Sequence, residues 1–182
     1  PNLLIVSTSS IGTEEEPFTG TFDGGNHSIN NLYIENEYSG LFGYIDGATI
    51  NNLTLWGTNI YGMQAGALAS NSKNSSISNV IVTGNVNYKY YDSDYVKSLG
   101  SVIGQSSNDT LEKISSYASV GSNDYFNRPS YIGGIVGYSD NIVLKQLYYK
   151  GELFNGTHIG GIIGDVSGIT IENSTVIANI SN

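Results

Sequence analysis

The chain has 182 residues, 39% hydrophobic and only 13% charged, with 23 glycines, 3 prolines and no cysteine. Its 16 acids against 7 lysines and arginines give a formal charge of −9, which would be repelled by a nucleic-acid backbone or an anionic membrane surface. Without cysteine there is no thiolate metal site, disulfide or cysteine nucleophile, and no apolar run approaches bilayer-spanning length, so neither nucleic-acid binding nor membrane insertion is expected.

What remains is a single domain of strands and turns whose surface is polar mainly through Asn, Ser and Thr. The start, Pro1-Asn2-Leu3-Leu4-Ile5-Val6, has neither an initiator Met nor a charged signal-peptide opening, and reads as part of a longer or processed chain. Glu14-Glu15-Glu16 reads as a solvated loop. From Pro17 to Ile29 large apolar residues alternate with small or polar ones up to Asp23-Gly24-Gly25-Asn26, which predicts a strand ending in a tight turn. That tetrapeptide lacks the spaced acidic ligands of an EF-hand loop.

Two patterns then alternate along the chain. The first is glycine-rich: Ser39-Gly40-Leu41-Phe42-Gly43-Tyr44, Ala65-Gly66-Ala67-Leu68-Ala69, Leu99-Gly100-Ser101-Val102-Ile103-Gly104, Ile132-Gly133-Gly134-Ile135-Val136-Gly137-Tyr138 and Ile159-Gly160-Gly161-Ile162-Ile163-Gly164. From Gly43, Ala69, Gly104, Gly137 and Gly164, a step of 7, 8, 7, 7 and 7 residues reaches the lead residues Ile50, Ile77, Leu111, Leu144 and Ile171 of the second pattern. In that second pattern apolar residues stand three and five places after the lead, as at Leu53 and Leu55 or Val80 and Val82, with a small residue at Gly57, Gly84, Ala118, Gly151 and Ala178. An earlier copy is read as led by Ile29, with Leu32 and Ile34.

Two places after the lead stand Asn31, Asn52, Asn79 and Asn173, with Lys113 and Gln146 in the remaining copies. If the copies stack, that position predicts a ladder of amides at one corner. Short strand-like segments with small-residue corners, no helical stripe and a period of roughly 20 to 35 residues point to a solenoid. The fold expected is all-β: a single-chain parallel β-helix of about five to six turns, occupying residues 1–182.

The step from glycine segment to lead is fixed, so length variation falls on the other side of each turn. The two longest turns are consecutive, and their insertions, Asn87 to Leu99 and Gly121 to Ile132, are expected to leave one edge of the solenoid as neighbours. They carry Tyr88, Tyr90, Tyr91, Asp92, Asp94 and Tyr95 in the first and Asp124, Tyr125, Phe126, Arg128 and Tyr131 in the second. Loop-borne tyrosines give stiff contact area with a polar tip, which suits a glycan or a protein surface; the alternative is that they pack over a sheet as a satellite core.

Other chemistry finds little support. Arg128 is the only arginine, His27 and His158 are far apart, and only Glu112 and Glu172 repeat an acid in one phase, so no catalytic residue, metal site or cofactor is expected. Trp56, beside a corner glycine, reads as the cover of a seam. Among several Asn-x-Ser/Thr sequons, Asn74, Asn108 and Asn155 are candidate glycosylation sites.

The segments Pro17-Phe18-Thr19-Gly20-Thr21-Phe22-Asp23-Gly24, Ile29-Asn30-Asn31-Leu32, Gly40-Leu41-Phe42-Gly43-Tyr44-Ile45 and Ala48-Thr49-Ile50-Asn51-Asn52-Leu53-Thr54-Leu55 resemble the GLUG-type repeats of microbial surface proteins. Similar segments precede the catalytic part of secreted IgA-cleaving metallopeptidases and occur in adhesin-like proteins of bacteria and methanogenic archaea. The resemblance runs from about Gly12 onward and implies a right-handed parallel β-helix displayed outside the cell. The His-Glu-x-x-His zinc signature of those peptidases is absent, so no protease activity carries over. The chain therefore reads as a non-catalytic extracellular scaffold or adhesion module, touching a glycan or protein surface through its tyrosine-rich loops. Its final strand-like run, Ile171 to Ile180, has no polar cap and is expected to need a neighbour, as in end-to-end self-association; the competing reading is a carbohydrate-active β-helix enzyme or its accessory domain.

Overall fold

A computed structural model describes residues 9–91 and 96–182 together with the backbone of the strand Leu3–Val6. It is a parallel β-helix. A twelve-stranded sheet wraps most of the circumference, and a five-stranded sheet of Tyr38–Ser39, Gln64–Ala65, Ser98–Gly100, Tyr131–Gly133 and His158–Gly160 forms the remaining wall. Successive coils advance from Phe42 to Ala69, Ile103, Val136 and Ile163, so the two long turns are the two that the repeat spacing singles out.

The interior is built of columns in which like stacks on like. The lead residues form one: Ile50, Ile77, Leu111 and Leu144 are in direct register and fully buried, and Ile171 continues them. A second runs Ile29, Leu55, Val82, Ser116, Tyr149, Val176. Ser116 is the irregular member because its neighbour is large: Tyr149 lies fully buried against it, and its hydroxyl donates to the carbonyl of Ala118 at 3.0 Å. Each buried branched residue contributes about 1.5 to 3 kcal/mol relative to exposure, and parallel stacking keeps that gain identical from coil to coil.

The glycine-rich segment is where the five-stranded wall folds back into the next strand. A side chain at Gly137 would meet the backbone of Leu99 at 2.7 Å, and one at Gly164 that of Ile132 at the same distance, so only glycine lets the two walls touch. In the second copy the register assigns this place to Ser70, not Ala69, and the step to Ile77 becomes the same seven residues as elsewhere. Ser70 is tolerated because its buried hydroxyl donates to the carbonyl of Gln64 at 2.8 Å.

The phase of the first coil also differs from the sequence reading. Phe22, not Ile29, pairs with Ile50, and Ile29 pairs with Leu55. The cause is a bulge: Asp23 pairs with Asn51 but His27 with Leu53, so two additional residues are absorbed within the continuous strand Thr21–Glu35. Gly25 and Asn26 sit in the left-handed region at φ 58° and 60°, and the Gly25 amide donates to the Asp23 carboxylate at 2.9 Å. Asp23-Gly24-Gly25-Asn26 is thus a bulge inside a strand and does not end it.

Among the described residues one carboxylate is buried in the interior. Asp109 is 1% exposed and accepts from the Ser75 amide at 2.7 Å and from the Ser106 hydroxyl at 2.6 Å. Burial raises its pKa above the ordinary 3.8, and the hydrogen bonds oppose that shift without cancelling it. The folded state then holds the proton more tightly than the unfolded chain, so Asp109 weakens the fold as pH rises from 3.8 through its raised folded value. Asp109→Asn, which keeps an acceptor for Ser75, is expected to remove this slope and to be at least as stable as wild type at neutral pH. Asp109→Ala strands the Ser75 amide and is expected to cost about 1 to 3 kcal/mol. Urea unfolding of both variants across that pH range checks the pair.

Candidate functional site

Two features of the coil decide what its surface can present: where it turns corners, and where residues are inserted. The corner after each lead strand is a left-handed residue in every copy: Asn26, Asn52, Asn79, Lys113, Gln146 and Asn173 all have φ between 50° and 60°. Asparagine recurs there because it adopts this conformation at low cost. The Asn79 amide donates to the Asn52 carbonyl oxygen at 2.8 Å, and Asn52 donates to Asp23 at 3.0 Å. Lys113 and Gln146 then separate this pair from Asn173. Asn31 is not in the column. It stands at the next corner, where a side chain at Gly57 would come within 3.0 Å of its amide oxygen, because the bulge moves the first coil by two residues.

A second left-handed column, not recognised in the sequence, stands three places before each lead: Gly47, Asn74, Asn108, Asn141 and Gly168. Asn74 donates to Asp46 and Asn141 to Asn108, both at 2.9 Å. The signal was a fixed phase occupied only by Gly and Asn. Two glycosylation candidates, Asn74 and Asn108, are exposed members of this column. The third, Asn155, is excluded by its surroundings: it is 6% exposed, and its amide donates to the carbonyls of Ser122 and Asp124, each at 2.9 Å.

The two insertions leave the same corner of consecutive coils. Asn87 pairs with Gly121 where they begin and Ser98 with Tyr131 where they end, and the Tyr131 amide donates to the Lys97 carbonyl at 3.1 Å. Asp92, Asp94 and Tyr95 lie outside the described residues. The remaining candidates divide sharply. Tyr88 belongs to the core: it is 6% exposed, and desolvation, with lesser contributions from Tyr90 and Asp124, pushes its hydroxyl up to about 12. Tyr91 packs half-buried against that core. Tyr90 is exposed, with the Lys97 ammonium 5.2 Å from its ring centroid. Tyr125 and Phe126 project at 73% and 96% exposure, and the Arg128 Nε–H donates to the Tyr125 carbonyl at 3.4 Å.

Asp124 organises the second loop and is not free to hold a ligand. Its carboxylate accepts the Asn127 side-chain amide at 2.9 Å and the backbone amides of Phe126 and Asn127 at 2.9 and 3.2 Å, which together lower its pKa. Tyr131 is not at the loop tip. Its ring lies 5.4 Å from that of Tyr138 and 5.3 Å from that of His158, in a seam between the two walls of the coil.

Apart from Tyr131, that seam collects residues to which the sequence assigns no contact role. One side is the column Tyr38, Gln64, Ser98, Tyr131, His158; the other is Tyr44, Asn71, Gln105, Tyr138, Asp165. Tyr38 faces Tyr44 with ring centroids 5.6 Å apart, and the Gln64 amide donates to the Asn71 carbonyl oxygen. Residues of the second column all stand six places before a lead, a phase with no hydrophobic signature. Trp56, 58% exposed on a flat outer face, covers no seam. Glu112 and Glu172 are separated in their column by Lys145. Among the described residues no three His, Asp or Glu side chains converge as a metal site.

Residues 11–84 match the sequence model of the family described as the M26 IgA1-specific metallo-endopeptidase N-terminal region. The chain is also 36% identical over 77 residues, 40% of its length, to halomucin of Haloquadratum walsbyi, and spans 1% of that protein. The family match ends at residue 84, before both insertions and before the pair Tyr131 and Tyr138.

Because hydrogen bonds hold the Asp124 carboxylate below its ordinary pKa, the order they impose is complete above 3.8 and is lost as pH falls through the lowered value. Asp124→Ala is expected to remove hydrogen-exchange protection from the Phe126 and Asn127 amides at neutral pH while leaving Ile114 and Val120 protected. Unchanged protection at Phe126 would contradict this role.

Proposed function

We propose that the chain is a non-catalytic, extracellular, surface-associated module: a stiff β-helical scaffold that makes contact through aromatic loops on one rim. The observation that carries this reading is the separation of roles along the coil. The stacked columns recover their register after each small bulge, while the two long insertions and the most exposed aromatic side chains, Tyr125 and Phe126, are gathered at one corner. Placement outside the cell rests on the similarity to the N-terminal region of a peptidase family directed at IgA1 and to halomucin.

A contact role also fits the polar chemistry. Hydrolysis of a glycosidic bond needs two carboxyl groups facing one another at about 5 to 9.5 Å with the bond between them. Glu112 and Glu172 stand two coil steps, about 10 Å of backbone, apart. Lys145 stands between them and lies 3.8 Å from Glu172, so neither acid has the environment of a catalytic pair. The last coil exposes Ile171, Val176 and Ile180 of the inward columns, an apolar surface that a second copy stacked end to end would cover. Asn74 and Asn108, sequons exposed at left-handed corners, are positioned to carry glycans.

Incubation with a panel of polysaccharides is expected to yield no new reducing ends and no unsaturated products, and sustained turnover would overturn the reading. Tyr125→Ser combined with Phe126→Ser is expected to shift stability by no more than about 0.5 kcal/mol, as for exposed residues generally. The same double variant is expected to abolish retention on whichever glycan or protein array holds the wild type. Retention unaffected by it would remove this loop from the contact surface.

A further inference from the structure

The seam between the two walls holds polar groups that neither the fold nor the rim loops use. Ser98 is fully buried and its hydroxyl has no hydrogen-bond partner; it is in register with Tyr131 on the seam side of its strand. Across from it Gln105 is half-exposed, and neither its amide nor the hydroxyls of Tyr131 and Tyr138 hydrogen-bond another described residue. Ser98 lies out of a ligand's reach, but Gln105, Tyr131 and Tyr138 are only half-buried, and a ligand with both donors and acceptors can take the place of the solvent at their polar groups. Toward its Tyr44 end the seam is also concave. A hollow of about 270 Å³ is lined by Tyr44, Asn71 and Gln105, with Glu14, Asp46 and Lys73 at its rim. On the other side of Tyr44 a second hollow of about 460 Å³ is lined by Tyr38, Glu14, Glu15 and Glu37.

We infer that this seam is a binding site for a neutral, extended oligosaccharide. The column Tyr44, Asn71, Gln105, Tyr138 places an aromatic ring at each end and two amides between them. Three coil steps of about 4.8 Å make the distance between those rings about 14 Å, the reach of a short run of linked pyranose rings. Tyrosine rings offer flat apolar faces to the C–H faces of sugars, and amides at each step match hydroxyls that both donate and accept. The floor carries no charge, whereas Glu14, Glu15, Glu37, Asp46 and Asp165 surround it, with Lys73 the one cation lining the hollow. Uronic or sulfated glycans are therefore repelled, and an uncharged chain is accepted. An extended proline-rich peptide would also meet aromatic rings, but it presents almost no donors to the Gln105 and Asn71 carbonyl oxygens.

The test is an array of neutral linear oligosaccharides (gluco-, xylo-, manno- and N-acetylglucosamine series), acidic glycans and a polyproline peptide, followed by calorimetric titration with the best-retained neutral sugar. The wild type is expected to retain at least one neutral series. Gln105→Ala, a half-exposed change that leaves no partner stranded, and Tyr138→Ala are each expected to weaken binding about tenfold, while Trp56→Ala on the outer face leaves it unchanged. If Tyr138→Ala fails to fold, Gln105→Ala decides. Retention of no neutral series, preference for acidic glycans or the peptide, or binding that Gln105→Ala leaves intact would each overturn the assignment. Sugar binding lost only in the Tyr125 and Phe126 double variant would transfer the site to the rim loop and leave the scaffold reading standing.

Discussion

Two corners of the coil are turned, copy after copy, by residues held in the left-handed backbone region, and the stacking of the whole molecule depends on that repeated conformation. A parallel β-helix gains its stability from identical layers: each strand donates to and accepts from the coil above and below, and each apolar residue covers its own equivalent. This works only if the chain changes direction at the same place each time. A left-handed residue costs about 1 to 2 kcal/mol for most side chains and far less for Gly or Asn. The two corner columns are accordingly dominated by Asn and Gly, with Lys113 and Gln146 as the exceptions. The amide hydrogen bonds between Asn79 and Asn52 and between Asn141 and Asn108 are added to corners that already repeat.

A fixed layer also dictates where difference can accumulate. Added residues cannot enter a strand without breaking register, so the two long turns place theirs at one corner, where Asp124 folds the second loop upon itself and leaves Phe126 outside. The first coil shows another solution, a two-residue bulge at Gly24 and Gly25 closed by the Asp23 carboxylate, and the next coil absorbs one residue between Leu55 and Thr58. Outward positions facing the seam are likewise free to vary, which is how rings at Tyr44 and Tyr138 come to bracket amides at Asn71 and Gln105. Stiffness and variability are thus assigned to different positions of one repeat.

The inward columns were legible in the sequence because burial leaves a periodic apolar trace: Ile50, Ile77, Leu111, Leu144 and Ile171 fall where the spacing puts them. Two misplacements have the same origin. Ile29 matches the apolar pattern as well as Phe22 does, and only the bulge, whose residues carry no apolar signal, decides between them. Ala69 matches the small-residue pattern better than Ser70 does, because a serine bonded to the Gln64 carbonyl does not look like a glycine. The corner at Asn74, Asn108 and Asn141 and the seam at Gln105 and Tyr138 lie outward, where nothing hydrophobic marks the phase. Within the tyrosine-rich loops, composition could not tell Tyr88, which completes the core, from Tyr90, which does not, since both are tyrosines two residues apart on a departing strand.

The claim that corner conformation governs the stack is tested most directly at Asn79, which has φ 52° and donates its amide to Asn52. Glycine there keeps the left-handed backbone and loses the amide, whereas alanine loses both. Chemical unfolding of the two variants is expected to show Asn79→Ala losing about 1 to 2 kcal/mol and Asn79→Gly losing clearly less. If glycine proves as damaging as alanine, the side-chain ladder and not the backbone turn holds the coils in register, and the account is wrong at its base.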